Sequence, residues 1–229
     1  MGDLEAPSSS AFIRKMVPPD GSCLFYSLDF LFTGEERPCA SSELRALCVK
    51  RILENSATYS ALRLGVESVR EYTDWISDGA NYGGETEILI LSEEFGYEIA
   101  VVSIESKVQI LKYSPQTPQD ELKRIYVIYN GQHYDAMQWK DGKRIFAQEE
   151  ADVYYDREAI AFGASEKEKR EKELRTRRRK KIKCGGCGAL CSNGSDFQSH
   201  CMEVDHGEDF GYECEEIEIT EFVESVEDD

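Results

Sequence analysis

The chain has 229 residues, of which 41% are hydrophobic, and its formal net charge is −18 at pH 7. This length predicts one substantial domain with a small appendage, and the absence of any apolar run of ~20 residues excludes a membrane-spanning helix. Residues 166–183 hold 11 Lys and Arg against 4 acids, whereas the rest of the chain has 16 basic and 41 acidic groups and should repel nucleic acid.

Helices are predicted in the first half of the chain. A polar leader over residues 1–11 is predicted to be disordered, and residues 17–21 form an extended stretch that ends in a turn. An apolar helix is predicted over residues 24–32, ending near Gly34. Three more helices are predicted over residues 41–54 with a Ser41-Ser42 cap, over 65–76, and over 84–94, where Gly96 closes the last.

Strands are predicted after these helices. Three apolar, β-branched runs cover residues 99–104, 108–113 and 125–129, Gly131 turns the chain, and a fourth strand follows over residues 134–139. Helices followed by a small sheet predict an α+β fold.

Two segments more than a hundred residues apart carry the candidate chemistry: DGSCLF, from Asp20 to Phe25, and NGQHYD, from Asn130 to Asp135. A thiol attacks carbonyls as the thiolate, so a catalytic Cys needs a His that takes its proton and a polar group that orients that His. Of the three histidines in the chain, two fall in a metal-binding pattern. His133 is therefore the sole candidate base for Cys23.

The surroundings of Cys23 and His133 suit these roles. Cys23 directly precedes a predicted helix, whose N-terminus favours an anion, and the N–H groups between Asp20 and Cys23 are predicted to face an oxyanion, an interaction worth ~3 kcal/mol. Alternation along a strand puts His133 and Asp135 on one face, so Asp135 can orient the imidazole. Asp20 is a second candidate for orienting the imidazole. The alternative for Cys23 is that it is a small, buried apolar residue without a catalytic role.

Both segments resemble the OTU (ovarian tumour) family of deubiquitinating thiol proteases, in the ubiquitin thioesterase subfamily that carries a C-terminal zinc finger. The resemblance extends through YTDWI at residues 72–76, YGGETEI at 82–88 and the stretch 125–135, spans residues 12–147, and resumes at the finger. It implies an OTU-type cysteine-protease domain. It also implies the following roles: Cys23 as nucleophile, His133 as general base, Asp20 and Asp135 as acidic partners, Gln132 in contact with the ubiquitin tail, and Gly83 and Gly84 as a narrow groove.

The resemblance also implies partners. Ubiquitin and polyubiquitin chains are the expected substrates, with no cofactor for catalysis. Residues 114–121 match a loop that tunes chain choice, or are a plain connection; residues 145–150 match part of a second ubiquitin site, or are an ordinary edge segment. The resemblance further implies recruitment to the valosin-containing AAA ATPase and, through it, a role in endoplasmic-reticulum-associated degradation. The ubiquitin-like N-terminal module that binds this ATPase is expected to be absent, which argues against the recruitment.

A second motif lies near the C-terminus: Cys184-x2-Cys187, twelve residues, then His200-x5-His206. This spacing predicts four tetrahedral ligands of a structural Zn²⁺, with Cys191, Cys201 and Cys214 as alternative ligands. The crowding of five cysteines here, without a secretory signal, predicts a reducing intracellular compartment. We expect the cytoplasm, with the nucleus as an open alternative.

The finger could suggest DNA binding, since a basic run at residues 175–183 precedes it. A single finger reads only about three base pairs, however, and beyond Lys183 there is no Lys or Arg, while eleven acids follow His206. The basic run is either the solvated face of a helix from about residue 165 into the finger or a nuclear-import signal.

The predicted organisation is a leader (1–11), a catalytic domain (12–150), a basic helical linker (151–183), a finger for protein interaction (184–206) and an acidic tail (207–229). The alternative to an active deubiquitinase is a catalytically silent module that binds ubiquitin or nucleic acid.

Overall fold

The computed structural model describes residues 11–119, 121–192, 194–204 and 214–218. Most of the predicted leader and acidic tail lies outside these ranges. The chain divides into two compact units, residues 1–167 and 168–229. None of the described helices combines the length and apolarity that a bilayer crossing requires.

Five helices occupy the first half of unit 1: α1 (Cys23–Thr33), α2 (Ala40–Glu54), α3 (Ala61–Leu64), α4 (Val69–Ser77) and α5 (Glu85–Phe95). The four predicted helices are confirmed, and α3 is additional. Gly34 and Gly96 end α1 and α5 in the left-handed conformation, as predicted. The cap predicted for α2 is wrong: the helix starts at Ala40, and Ser41 is buried inside it, donating a 2.7 Å hydrogen bond to the Ser22 hydroxyl.

Six strands form one mixed sheet: β1 (Phe12–Lys15), β2 (Tyr97–Ser103), β3 (Gln109–Tyr113), β4 (Lys123–Tyr129), β5 (Tyr134–Trp139) and β6 (Phe146–Ala147). The order is β1-β5-β4-β2-β3, with β2 and β4 parallel and the other pairs antiparallel, and β6 pairs with the first residues of β4. The four predicted strands and the α+β class are confirmed. Strands β1 and β6 were not predicted because they are too short to show alternation.

Each face of the sheet is covered, because neighbouring strand residues point to opposite sides. Val101, Val127 and Ala136 pack with the apolar faces of α1, α2, α4 and α5. The residues between them along the strands form a second core on the other face, with Phe12 and Phe146. Helix α1 therefore lies against the sheet with its first residue, Cys23, next to the start of β5.

The second core is covered by a helical segment that begins earlier than predicted. Helix α6 (Gln148–Glu150), a π-helical turn (Ala151–Tyr155) and α7 (Asp156–Arg179) follow β6. The fully buried Arg124 guanidinium donates to Asp152 (2.7 Å) and Asp156 (2.8 Å), which attaches the start of this segment to β4. The helix expected from about residue 165 begins earlier, because Ala151, Ala159 and Phe162 are buried in the second core beside this charged anchor.

Unit 2 contains a small three-stranded antiparallel sheet and a helix. The sheet has the order β8-β7-β9, formed by β7 (Lys180–Cys184), β8 (Leu190–Cys191) and β9 (Cys214–Glu218), and helix α8 covers Gly194–Glu203. Cys184, Cys191 and Phe197 are buried together. The basic run is helical as far as Arg179 and continues as β7.

Candidate active site

Cys23 is the first residue of α1, one position inside the helix that it was predicted to precede, and is only 1% exposed. Burial raises the pKa of the Cys23 thiol above its ordinary value, and the carboxylates of Asp20 and Asp135 act in the same direction, against the lowering by backbone hydrogen bonds from Tyr134 and Leu24. Burial outweighs the contribution of the helix N-terminus, where the Leu24 N–H acts in the predicted direction and lowers the pKa of the thiol. The buried thiol needs a base beside it to lose its proton.

Asp20 shapes the loop that carries the thiol. Its Oδ1 accepts a hydrogen bond from the Ser22 N–H at 2.8 Å, its carbonyl accepts from the Cys23 N–H at 3.3 Å, and its own N–H donates to Pro18. Three of the four N–H groups expected to face an oxyanion are thus engaged inside the loop, which corrects that prediction. Within the described structure, only the Gly21 N–H makes no such bond.

Arg45, a residue not predicted to matter, holds this loop from beneath. Its buried guanidinium donates to the carbonyls of Gly21 (2.9 Å), Asn81 (2.7 Å) and Ile76 (2.8 Å). A Cβ on Gly21 would lie 2.4 Å from the Ala80 carbonyl oxygen, so this position accepts only glycine. The Cys23 loop and the loop before α5 therefore form one rigid unit. An arginine within an apolar helical pattern gave no signal for this role.

The loop between β4 and β5 presents His133. The Asn130 side chain accepts hydrogen bonds from the N–H groups of Gln132 (3.0 Å) and His133 (2.9 Å). Gly131 has φ +95°, a left-handed value that favours glycine. This confirms the predicted turn and adds Asn130, whose position before a glycine is a recognisable turn signal.

The His133 ring contacts Asp135 rather than Asp20. Its Nε2 lies 3.1 Å from Asp135 Oδ1, and Asp135 is 1% exposed at the start of β5. The same Oδ1 accepts a 2.8 Å hydrogen bond from the Val17 N–H, and Oδ2 accepts from Arg14 Nε at 2.6 Å. Because Nε2 faces the carboxylate, Nδ1 is the ring nitrogen that remains for a thiol proton.

The packing of α1 against β5 brings the two halves together. The Cys23 thiol lies against the backbone of Tyr134, the neighbour of His133, and the Ser27 hydroxyl of α1 donates to the Tyr134 carbonyl at 3.3 Å. Cys23, His133 and Asp135 therefore lie in one region, and Asp20 shapes its loop. This arrangement can transfer a thiol proton to an imidazole held by a buried carboxylate.

A cleft of about 610 Å³ opens beside His133 and contains the three predicted substrate-binding residues; its lining is Pro19, Tyr82, Gly83, Gly84, Tyr129, Gly131, Gln132, His133 and Tyr134. The two adjacent glycines differ. A Cβ on Gly83 would lie 2.8 Å from the Phe25 ring, whereas a Cβ on Gly84 would meet nothing within 4 Å. Gly83 is therefore required by the packing against Phe25, whereas Gly84 is required only to keep the cleft open.

A separate cluster in unit 2 could hold a metal ion. The ligand atoms of Cys184, Cys187 and His200 all lie within 4.8 Å of one another, with Cys187 Sγ 3.2 Å from His200 Nε2. Backbone N–H groups of Cys187 and Gly186 lower the pKa of the Cys184 thiol, which suits a metal-bound thiolate. The donor set and its spacing fit a tetrahedral site. The predicted fourth ligand, His206, lies outside the described residues.

Comparison with known proteins points in the same direction. A family model described as OTU-like cysteine protease matches residues 18–135. The chain is 27% identical over 199 residues to a ubiquitin thioesterase OTU1 of Drosophila pseudoobscura pseudoobscura, covering 85% of the chain and 53% of the relative. It is 36% identical over 126 residues to the Homo sapiens ubiquitin thioesterase OTU1, covering 55% and 35%.

Among solved structures, an OTU domain in complex with ubiquitin matches with a TM-score of 0.60 and 26% identity, over 69% of this chain and 88% of that one. The chain spans between 34% and 64% of the length of these curated relatives.

Proposed function

We propose that this chain, which belongs to the OTU-like cysteine protease family, is a deubiquitinase that hydrolyses the bond between the C-terminus of ubiquitin and a conjugated protein or another ubiquitin. The observation that carries the proposal is the His133–Asp135 pair at 3.1 Å beside the Cys23 loop, at the edge of a glycine-lined cleft. Relatives that bear the name ubiquitin thioesterase and an OTU domain solved with ubiquitin support this substrate.

In the first step, His133 Nδ1 takes the proton of the Cys23 thiol, and the thiolate attacks the carbonyl carbon at the ubiquitin C-terminus. Asp135 accepts the Nε2–H, keeps the ring oriented, and stabilises the imidazolium that forms. Burial raises the pKa of Cys23, so the thiol depends on the imidazole to take its proton. Asp20 shapes the Cys23 loop and leaves the Gly21 N–H to stabilise the oxyanion.

The tetrahedral intermediate then collapses. The C–N bond breaks, the imidazolium donates its proton to the departing lysine amine, and ubiquitin remains as a thioester on Cys23. His133 next takes a proton from a water molecule, whose oxygen attacks the thioester carbonyl. The C–S bond then breaks, the imidazolium returns its proton to the Cys23 sulfur, and ubiquitin leaves as a carboxylic acid that loses its proton to solvent.

The cleft explains why ubiquitin is the expected substrate. Its tail ends in Gly-Gly, and a side-chain-free tail fits a groove walled by Gly83 and Gly84. Gln132 is exposed on the opposite loop and lines the same cleft. Chain-type preference would arise outside the cleft, from residues 114–121 and from a second ubiquitin contact at residues 145–150.

The cluster in unit 2 is assigned to a structural Zn²⁺ bound by Cys184, Cys187 and His200, with His206 as the fourth ligand. Zinc would supply folding energy to a unit whose apolar core is small, and it takes no part in the cleavage reaction.

The test is to incubate the purified, zinc-loaded protein with ubiquitin bearing a C-terminal electrophile, and to measure intact mass. A stoichiometric adduct on the wild type, absent from Cys23→Ala and strongly slowed in His133→Ala, is expected. No adduct on a folded wild type that still binds ubiquitin would contradict the proposal and indicate a binding module.

A further inference from the structure

Asp135 owes its position to a residue that neither the resemblance nor the motif pattern pointed to. Arg14 Nε and Nη2 lie 2.6 Å and 2.5 Å from Asp135 Oδ2, so two nitrogens of one guanidinium hold the same oxygen. Oδ1 is thereby left for the Val17 N–H and for His133 Nε2. The Asp135 carboxylate is therefore held with Oδ2 bound to Arg14 and Oδ1 bound to Val17 and His133.

We propose that Arg14 is a positioning residue for the catalytic histidine, acting through Asp135. It fixes the carboxylate through Oδ2 and places a positive charge beside it, so that Oδ1 stays directed at His133. The proposal rests on the proposed function.

Strand pairing makes this contact specific. β1 pairs antiparallel with β5 so that Arg14 lies opposite Met137, two residues from Asp135 and on the same face of the sheet. A long side chain reaches such a diagonal neighbour. The other end of the guanidinium is also held, because Arg14 Nη1 lies 3.3 Å from Glu166 Oε2 on α7. The Arg14 side chain is 28% exposed and that of Glu166 is 13% exposed. The guanidinium is therefore held by Asp135 on one side and by Glu166 on the other.

Charge balance is the reason that this contact affects chemistry as well as packing. The Asp135 carboxylate is one of the groups that raise the pKa of Cys23, together with Asp20 and burial itself. A cation paired with Asp135 acts against that effect, because it adds a positive charge beside the carboxylate. Replacing Arg14 by a neutral residue would leave the Asp135 charge to oppose thiolate formation and would free the carboxylate to turn away from His133.

The experiment measures alkylation of Cys23 by iodoacetamide as a function of pH, with mass-spectrometric mapping to separate Cys23 from the other cysteines. Arg14→Ala is expected to move the midpoint upward by about half a pH unit or more, the size of a lost charge at this range. Its kcat on a ubiquitin substrate should fall about tenfold with KM little changed. Arg14→Lys, which keeps the charge but not the fork, should restore most of the midpoint shift and only part of kcat.

Lys15→Ala is the matched control, because it removes one positive charge from the next position of β1, where the ammonium pairs with Glu36 and not with Asp135. It should leave the midpoint at the wild-type value. The inference would be overturned if folded Arg14→Ala kept the wild-type midpoint of Cys23 alkylation. It would also be overturned if Lys15→Ala shifted that midpoint as much as Arg14→Ala does. A wild type whose Cys23 resists alkylation at every pH would instead overturn the proposed function, so the two failures are distinguishable.

Discussion

The adjacent glycines of the cleft permit a sharp separation of folding from substrate binding. Gly83→Ala would place a methyl group 2.8 Å and 2.9 Å from two atoms of the Phe25 ring and 3.0 Å from a Leu24 methyl group. Both contacts belong to the buried core of α1. Gly84→Leu would place its Cβ where no atom lies within 4 Å, on the wall of the cleft.

The expected magnitudes follow from these distances. Overpacking a core commonly costs about 1–3 kcal/mol, and for a chain of this size each kcal/mol lowers Tm by about 2–4 °C. Gly83→Ala should therefore lower Tm by several degrees. Gly84→Leu should leave Tm within about 2 °C of the wild type, because it adds no clash and reduces the entropy of the unfolded chain.

Thermal unfolding and steady-state hydrolysis of a C-terminal ubiquitin amide should be measured on both variants. Gly84→Leu is expected to lower kcat/KM by about 100-fold or more with an unchanged Tm, because a side chain fills the groove that the tail must enter. Gly84→Leu with wild-type kcat/KM would refute the assignment of this cleft to the ubiquitin tail. A wild-type Tm for Gly83→Ala would refute the packing argument.

Three further outcomes are expected. Asp135→Ala should lower kcat/KM by about 100-fold and Asp20→Ala by about tenfold or less, since only Asp135 contacts the His133 ring; equal losses would contradict this. Burial raises the pKa of Glu87, so the stability that the protonated Glu87 contributes is complete below its unfolded pKa of about 4.3 and is lost as pH rises through its folded pKa. In urea unfolding, the free energy of unfolding of Glu87→Gln should therefore rise relative to that of the wild type between acid and neutral pH. A difference that stays constant with pH would contradict this. Cys187→Ser should abolish stoichiometric zinc by elemental analysis and make residues beyond 168 protease-sensitive while leaving the ubiquitin adduct intact; retained zinc would contradict the ligand set.

The separate chemical groups were predictable from sequence, but their pairing was not. Scarcity of histidine isolates His133, and the helix after Cys23 follows from its apolar pattern. The distinction between Asp20 and Asp135 depends on β1 lying beside β5, and a four-residue strand leaves no periodic signal.

Buried charges were the largest source of error. Arg45 and Arg124 lie in a helix and a strand where pattern reasoning expects apolar residues, and each uses its guanidinium to hold segments distant in sequence. A buried charge stabilises the fold only when hydrogen-bond partners lie next to it, and these partners come close only in the folded chain. The joining of the two loops beneath the thiol by Arg45 is therefore not predictable from the sequence.

The pairing of β1 with β5 also has a consequence during synthesis of the protein. Cys23 leaves the ribosome more than a hundred residues before His133, and β1, with Val17 and Arg14, has its described sheet partner only in β5. A nascent chain that has not yet exposed Trp139 thus carries the nucleophile without its base and without the strand that holds Asp135. The proposed cysteine-protease chemistry therefore becomes possible only after β5 has been synthesised, because Cys23 alone has no base.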